Sequence, residues 1–246
     1  MTSKLAKLEN LIGHRFADLE LLQRAVTHRS WAYENLPGES VERIRDAENE
    51  SMEFVGDSVL GLVIAERLYQ NNPHLNEGDL TLMKHHLVST ATLAKIGETL
   101  NIGEFVRVGR GEEKTGGRKK QALLANTLEA VIAAVFLDGG YSAARVFLGR
   151  IFADELRNAT PRNSIDYKTL LQELLQADKQ SAPSYTVIQT DGPPHARVFS
   201  VEATWATGKA RGHGNSIKSA EMMAAAEALD KLRPENSSVA KRANQN

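Results

Sequence analysis

An all-α domain followed by a small α+β domain is the architecture that the patterning of this chain calls for. Across residues 1–157, apolar side chains recur at helical spacing and no sustained alternation interrupts them. The stretch Arg157-Asn158-Ala159-Thr160-Pro161-Arg162-Asn163-Ser164 then has linker chemistry, polar and proline-bearing. Beyond it the period changes to two, in Tyr185 and Val187 and again in Phe199, Val201, Ala203 and Trp205, as half-buried strands require. The expected division is a helical domain at 1–157, a linker at 158–164, a second domain at 165–233 and a polar tail at 234–246, expected to be disordered.

The elements follow in order. Leu5, Leu8, Leu11 and Ile12 make a first amphipathic stripe, and Leu19, Leu22 and Val26 a second. A long helix runs from about Asn49 to Gln70 and is stopped by Asn71-Asn72-Pro73, because proline lacks the N–H that a continuing helix needs. Asp79 to Leu100, Gln121 to Leu137 and Ser142 to Leu156 carry further helical periods. Gly103, Gly109, Gly111, Gly116 and Gly117 mark a long flexible connection ahead of the Gln121 helix. In the second domain, a helix from Asp166 to Gln176 precedes the alternating stretches. A Gly-rich turn, Gly208 to Gly214, leads into a last helix with Ala220, Ala224, Ala225, Ala228, Leu229 and Leu232 inward. The order is α-β-β-β-α.

Composition narrows the chemistry. The 246 residues, 41% hydrophobic and 25% charged, are those of an ordinary globular protein with chain enough for a real core. With no cysteine, disulfides, thiolate metal sites and cysteine nucleophiles are excluded, and any metal is pushed toward oxygen ligands. That favours Mg²⁺ or Mn²⁺ over zinc. No apolar run approaches the roughly 18 residues of a membrane span. The N-terminus lacks a signal-peptide pattern, so no membrane partner is expected and a cytoplasmic location is. The net charge of −1 argues weakly against a nucleic-acid partner, but a whole-chain average hides local patches.

The most informative run is Asn49-Glu50-Ser51-Met52-Glu53-Phe54-Val55-Gly56-Asp57-Ser58. Its spacing puts Glu50, Glu53 and Asp57 on one face of a helix. The intervening and following residues are apolar almost all round, so this helix is expected inside the protein. Acids crowded on such a stripe repel one another and lose hydration, and no Lys or Arg lies within the run to neutralise them. A solvated acidic face would have the same spacing. The metal reading gains support from a second apolar helix, in which Asn126 and Glu129 sit three apart. Two such helices can build a hard-cation site in a bundle.

These residues resemble a known family. The acidic run is similar to the signature of bacterial ribonuclease III, whose usual form is N-E-R-L-E-F-L-G-D. Thr27-His28-Arg29-Ser30, Glu77-Gly78-x-Leu80-Thr81, Gly116-Gly117-Arg118-Lys119-Lys120 and Glu129-Ala130 match further blocks in order. The C-terminal part resembles a double-stranded-RNA-binding domain in Gly192-Pro193-Pro194-His195 and in Gly212-His213-Gly214-x-Ser216-x-Lys218-x-Ala220-Glu221. The likeness extends over all but the tail.

The resemblance implies an Mg²⁺-dependent endonuclease of duplex RNA that leaves 5′-phosphate and 3′-hydroxyl ends and acts in ribosomal and messenger RNA processing. Glu53, Asp57, Asn126 and Glu129 would form the metal cluster, with Glu50 and Glu77 lining the cleavage site and no small-molecule cofactor. A homodimer is implied, Phe54 entering a pocket of the partner; from its own residue type Phe54 is equally a core side chain. Thr169, Gln172, Glu173 and His195 match groove-contacting positions, recognising A-form RNA by shape. Ser216 would direct helix N–H groups at phosphate, Lys218 would add charge, and Lys209 and Arg211 would extend the basic edge.

Two positions depart from the family pattern. Asn126 stands where most members have Asp; its amide oxygen can ligate Mg²⁺ but brings no charge, so affinity should fall. Ile217 replaces the first of two usual lysines, which removes a phosphate contact and flattens the salt dependence. A non-catalytic RNA-binding protein of the same fold is the main rival, and a helical phosphohydrolase of small nucleotides a lesser one. Arg107, Arg110, Lys114, Arg118, Lys119 and Lys120 are either a solvated loop or a contact to RNA backbone. The segment Gly109–Thr115 is no P-loop, since Glu113 precedes Lys114 where glycine is needed.

Overall fold

The computed structural model describes residues 2–164, 166–193 and 197–232. The chain divides into two compact units, Met1–Ile165 and Asp166–Asn246. His195 and the tail from 234 onward lie outside the described residues.

The first unit is helical throughout: α1 (Thr2–Ile12), α2 (Leu19–Ala25), α3 (Arg29–Asn35), α4 (Val41–Ala47), α5 (Glu50–Asn71), α6 (Glu77–Leu87), α7 (Thr90–Thr99), α8 (Arg110–Lys114), α9 (Gln121–Ile151), α10 (Ala153–Asn158) and α11 (Pro161–Ser164). Side chains set the starts of many of these. Asp18, Ser40, Asn76 and Ser89 each accept a hydrogen bond from a first-turn N–H of α2, α4, α6 and α7. The core is built on α5 against α9, with α2 and α7 packed on α9. The backbone of α9 leaves helical geometry at Gly140 (φ 71, ψ −173), between the two helical periods expected there. Yet by length and mean hydropathy alone α9 could cross a membrane, contrary to the expectation that no apolar run is long enough. Here it is the central helix of the core, with Leu128 and Ala130–Val135 fully buried.

Four expectations are corrected. Asp79–Leu100 is two helices, because Ser89 caps a new one after α6 ends. Periodicity missed α3 and α4, which bury only Ala32 and Ile44 and so leave almost no apolar stripe. The 103–120 connection is not slack. It holds two 3-10 turns and α8, and Arg118 reaches the carbonyls of Gly103 and Val106. The 158–164 stretch contains a helical turn, since Thr160 accepts from the Asn163 N–H (3.1 Å) and Pro161 suits the first helical position.

The acidic helix is also less enclosed than expected. Met52, Gly56, Val59, Leu60, Val63, Ile64 and Leu68 are buried, but Phe54 is 76% exposed, and Leu62 and Tyr69 are exposed on the same helix. α5 is apolar on two faces and this chain covers one of them.

In the second unit, α12 (Tyr167–Ala177) and α13 (Ile217–Leu232) cover one face of an antiparallel sheet of order β1 (Ser184–Asp191), β2 (Val198–Trp205), β3 (Gly208–Gly214). Val201, Ala203 and Trp205 face the helices from β2. Gly208–Gly214 is thus a strand and not a turn. A Cβ on Gly212 would stand 2.1 Å from the Ala224 nitrogen, so glycine here lets β3 and α13 approach.

Candidate functional site

The contact between α5 and α9 assembles the acidic centre. Gly56 sits where α5 touches the α9 backbone, and a Cβ there would lie 1.8 Å from the Glu129 carbonyl oxygen. The missing side chain brings Glu53, one turn before it, and Asp57, the next residue, close to Asn126 and Glu129. Glu53, Asn126 and Glu129 are half-buried, whereas Glu50 and Asp57 are exposed.

Electrostatics define the centre. Loss of hydration, then the charges of Asp57 and Glu53, lift the Glu129 carboxyl to about 7. Burial also raises Glu53, against the nearby Asn126 side-chain amide that lowers it, and the charges of Glu50, Glu48 and Asp57 raise it further. The amide at 126 therefore steadies an ionised Glu53 where another carboxylate would repel it. Three carboxylates and an amide oxygen are a donor set suited to a hard cation, and the mutual repulsion marks a deficit of positive charge. Among the described residues, no three His, Cys, Asp or Glu side chains converge tightly enough to hold an ion as they stand, so rotamer changes would have to complete such a site.

Neighbours that the sequence reading gave no role anchor this centre. Arg29 donates to Glu50 at 2.7 Å, a cation supplied from α3, outside the acidic run. Buried Glu48 accepts from the Glu50 N–H at 2.7 Å, and buried Asn49 donates to the Ala25 carbonyl at 3.1 Å. Arg24 ties the Glu48 carbonyl to the Ser51 hydroxyl. The Thr27–Ser30 block was the available signal. His28 caps α3 by accepting from the Ser30 N–H, and His14 pairs with Asp138 at 2.7 Å, so both have structural employment. Glu77 is exposed in the first turn of α6, where it accepts from Thr81 at 3.0 Å, and it is not among the charges that perturb Glu53 or Glu129.

The basic loop is partly neutralised within the fold. Arg110 pairs with Glu34, Arg118 with Glu113 and Lys120 with Glu112, while Lys114 and Lys119 are exposed. Arg107 differs from both groups: it is half-buried and stacks on Trp31.

In the second unit, Thr169, Gln172 and Glu173 are exposed on α12, opposite buried Leu171 and Leu175. Ser216 caps α13 by accepting from the Ser219 N–H at 3.1 Å, and Lys218 is exposed in its first turn. Lys209 and Arg211 are not brought to this side. They alternate with buried Ala210 and Gly212, hence point away from α13, and both pair with Glu202 at 3.6 and 2.8 Å.

Comparison with known proteins matches residues 18–156 to the family profile described as Ribonuclease-III-like, and residues 167–232 to the double-stranded RNA binding motif. A protein named Ribonuclease 3 from Syntrophotalea carbinolica is 42% identical, covering 92% of this chain and 96% of its own. Another of that name, from Geobacter metallireducens, is 44% identical over 93% of this chain and 92% of its own. A crystal structure of the nuclease domain of ribonuclease III from Campylobacter jejuni superposes with a TM-score of 0.54 at 34% identity, covering 61% of this chain and 93% of that one. A second structure of that Campylobacter domain, also at a TM-score of 0.54 and 34% identity, is described as showing structural flexibility in a region involved in dimer formation.

Proposed function

The chain belongs to the ribonuclease III family and is an endoribonuclease of double-stranded RNA; on that premise we propose that it requires Mg²⁺, with Mn²⁺ able to substitute, and leaves 5′-phosphate and 3′-hydroxyl ends. The observation that carries the reading is the crowding of Glu53, Asp57 and Glu129 beside Asn126 at the Gly56 contact, with Glu129 lifted to about 7. Glu53, Asp57, Asn126 and Glu129 would hold the ion. Such an ion, when bound, lowers the pKa of water and places positive charge beside the scissile phosphate. Glu50, aligned by Arg29, borders the site and keeps its carboxylate directed. Glu77, one element away on α6, is assigned to the rim of the cleavage site by family likeness alone. No Ser, Cys or His nucleophile is needed.

Phe54 and its exposed neighbours on α5 support a homodimer, in line with the dimer-forming region of the Campylobacter nuclease domain. For RNA contact, Thr169, Gln172 and Glu173 on α12 and Ser216 and Lys218 on α13 form the proposed surface, to which His195 belongs by likeness. Lys209 and Arg211, held by Glu202 on the other sheet face, are left out of it. A cytoplasmic role in processing ribosomal and messenger RNA precursors completes the proposal.

A long duplex RNA incubated with protein tests it. Mg²⁺ should give short duplexes and chelator should stop the reaction. Asn126→Asp should lower the Mg²⁺ concentration at half-maximal rate by about tenfold, the worth of one added charge at ~1.4 kcal/mol. Retardation without cleavage at every Mg²⁺ and Mn²⁺ concentration would leave only a binding protein of this fold.

A further inference from the structure

The acidic centre does not account for a cleft of about 280 Å³ elsewhere in the helical unit, between α1, α3 and the segment around residues 105–108. Leu5, Trp31 and Phe105 give it an apolar wall, and Lys4, Arg107 and Arg118 a cationic one. Among the described residues, no aspartate or glutamate lines it.

Arg107 is the unusual member. Its backbone is pinned on both sides: the His28 N–H donates to its carbonyl (2.9 Å), and its own N–H donates to Val26 (2.7 Å). Its guanidinium lies 3.4 Å over the Trp31 ring. One Nη donates to the Thr27 hydroxyl at 3.3 Å, and Nε is buried with no partner among the described residues. Arg110, Arg118 and Lys120 in the same loop each have a carboxylate; among the described residues none pairs with Arg107. Desolvation holds this guanidinium below its ordinary range. Packing over Trp31 alone would be better served by an apolar side chain, which leaves no buried N–H unpaired. Lys4 stands at the rim and donates to the Glu104 carbonyl at 3.2 Å. A guanidinium already desolvated, fixed and lacking a counter-charge is prepared for an anion, and its planar fork matches phosphate oxygens.

We propose that this cleft binds a nucleotide phosphate, the phosphoryl oxygens between Arg107 and Lys4 and the sugar or base against Leu5 and Phe105. Two sources share this chemistry: a free mononucleotide, and a phosphate of a bound RNA strand.

The test uses the full chain in chelator, where RNA is not cut. AMP and inorganic phosphate are titrated by calorimetry, and retention of a short duplex RNA is measured in parallel. AMP should bind saturably, with Arg107→Met and Lys4→Met each weakening it about tenfold or more and Arg107→Lys restoring part of the loss. Lys4 is exposed, so its variant keeps the test valid should Arg107→Met destabilise the fold. Loss of AMP binding with duplex retention unchanged identifies a free nucleotide. Weaker duplex retention in both variants identifies an RNA phosphate, whether or not AMP alone binds. The proposal is overturned if AMP and phosphate give no saturable response below about 10 mM and both variants retain duplex like the parent. A response identical in parent and variants overturns it equally.

Discussion

Glu129 concentrates the electrostatic problem of this protein in one side chain. Its carboxyl is lifted from 4.5 to about 7, so between those values the folded state keeps a proton that the unfolded chain has released. Its stabilising contribution is full below 4.5 and is lost as pH rises through 7. Glu53 and Glu48, also raised by burial, act in the same direction, while His28, lowered by burial, opposes them. The carboxylates held low by partners, such as Glu66 and Glu202, are already ionised across this window and cancel. In chelator, thermal unfolding should show the parent losing more stability than Glu129→Gln between about pH 5 and pH 8. Mg²⁺ should narrow that difference and release protons near pH 6.5, on the order of one per site, measurable in weakly buffered solution. Equal pH profiles for parent and Glu129→Gln would sink this account. The carboxylates themselves were legible in sequence, because helical spacing is a local property. The supporting cast was not: Arg29 reaches Glu50 from another helix, and Glu48 matters only because the fold buries it.

At the scale of elements, the α5–α9 crossing does what no isolated helix can. Both helices carry candidate oxygen ligands, but the distance between the two sets is fixed by the absence of a side chain at Gly56. Gly56→Ala should force the helices apart, costing about 1–3 kcal/mol or more as overpacking does. It should also reduce cleavage far beyond what the lower melting temperature explains, as assayed well below that temperature. A variant that cleaves normally while melting earlier would show that the crossing sets stability and not the site. The same physics makes Gly212 a strand residue, and here glycine misled: a run rich in Gly reads as a turn until α13 is seen lying on it. Long elements with apolar periods were legible. Short helices such as α3 and α4 were not, because their starts depend on single capping side chains and they bury little.

At the scale of the molecule, a nearly neutral chain carries a surface for a polyanion by distributing its charges unevenly. Lys218 stands exposed at the start of α13, whereas Lys209 is committed to Glu202 on the other sheet face. Lys218→Met should therefore lower the slope of log affinity for duplex RNA against log salt by about one, and Lys209→Met should leave it nearly unchanged. Equal effects from the two would place Lys209 on the binding surface after all. The exposed apolar face of α5 belongs to this scale too. From sequence, Phe54 could be core or interface, and its 76% exposure in the single chain removes the first possibility.

The order of the linear text alone settled the class of each half, the family likeness and the candidate ligands, because periodicity, residue chemistry and spacing are properties of neighbours along the chain. Burial, counter-charge and approach distance belong to residues far apart in that order. Hence only the folded chain could show that α5 is covered on one face, that Glu129 rather than another acid keeps its proton toward neutrality, and that Lys209 and Arg211 turn away from Lys218.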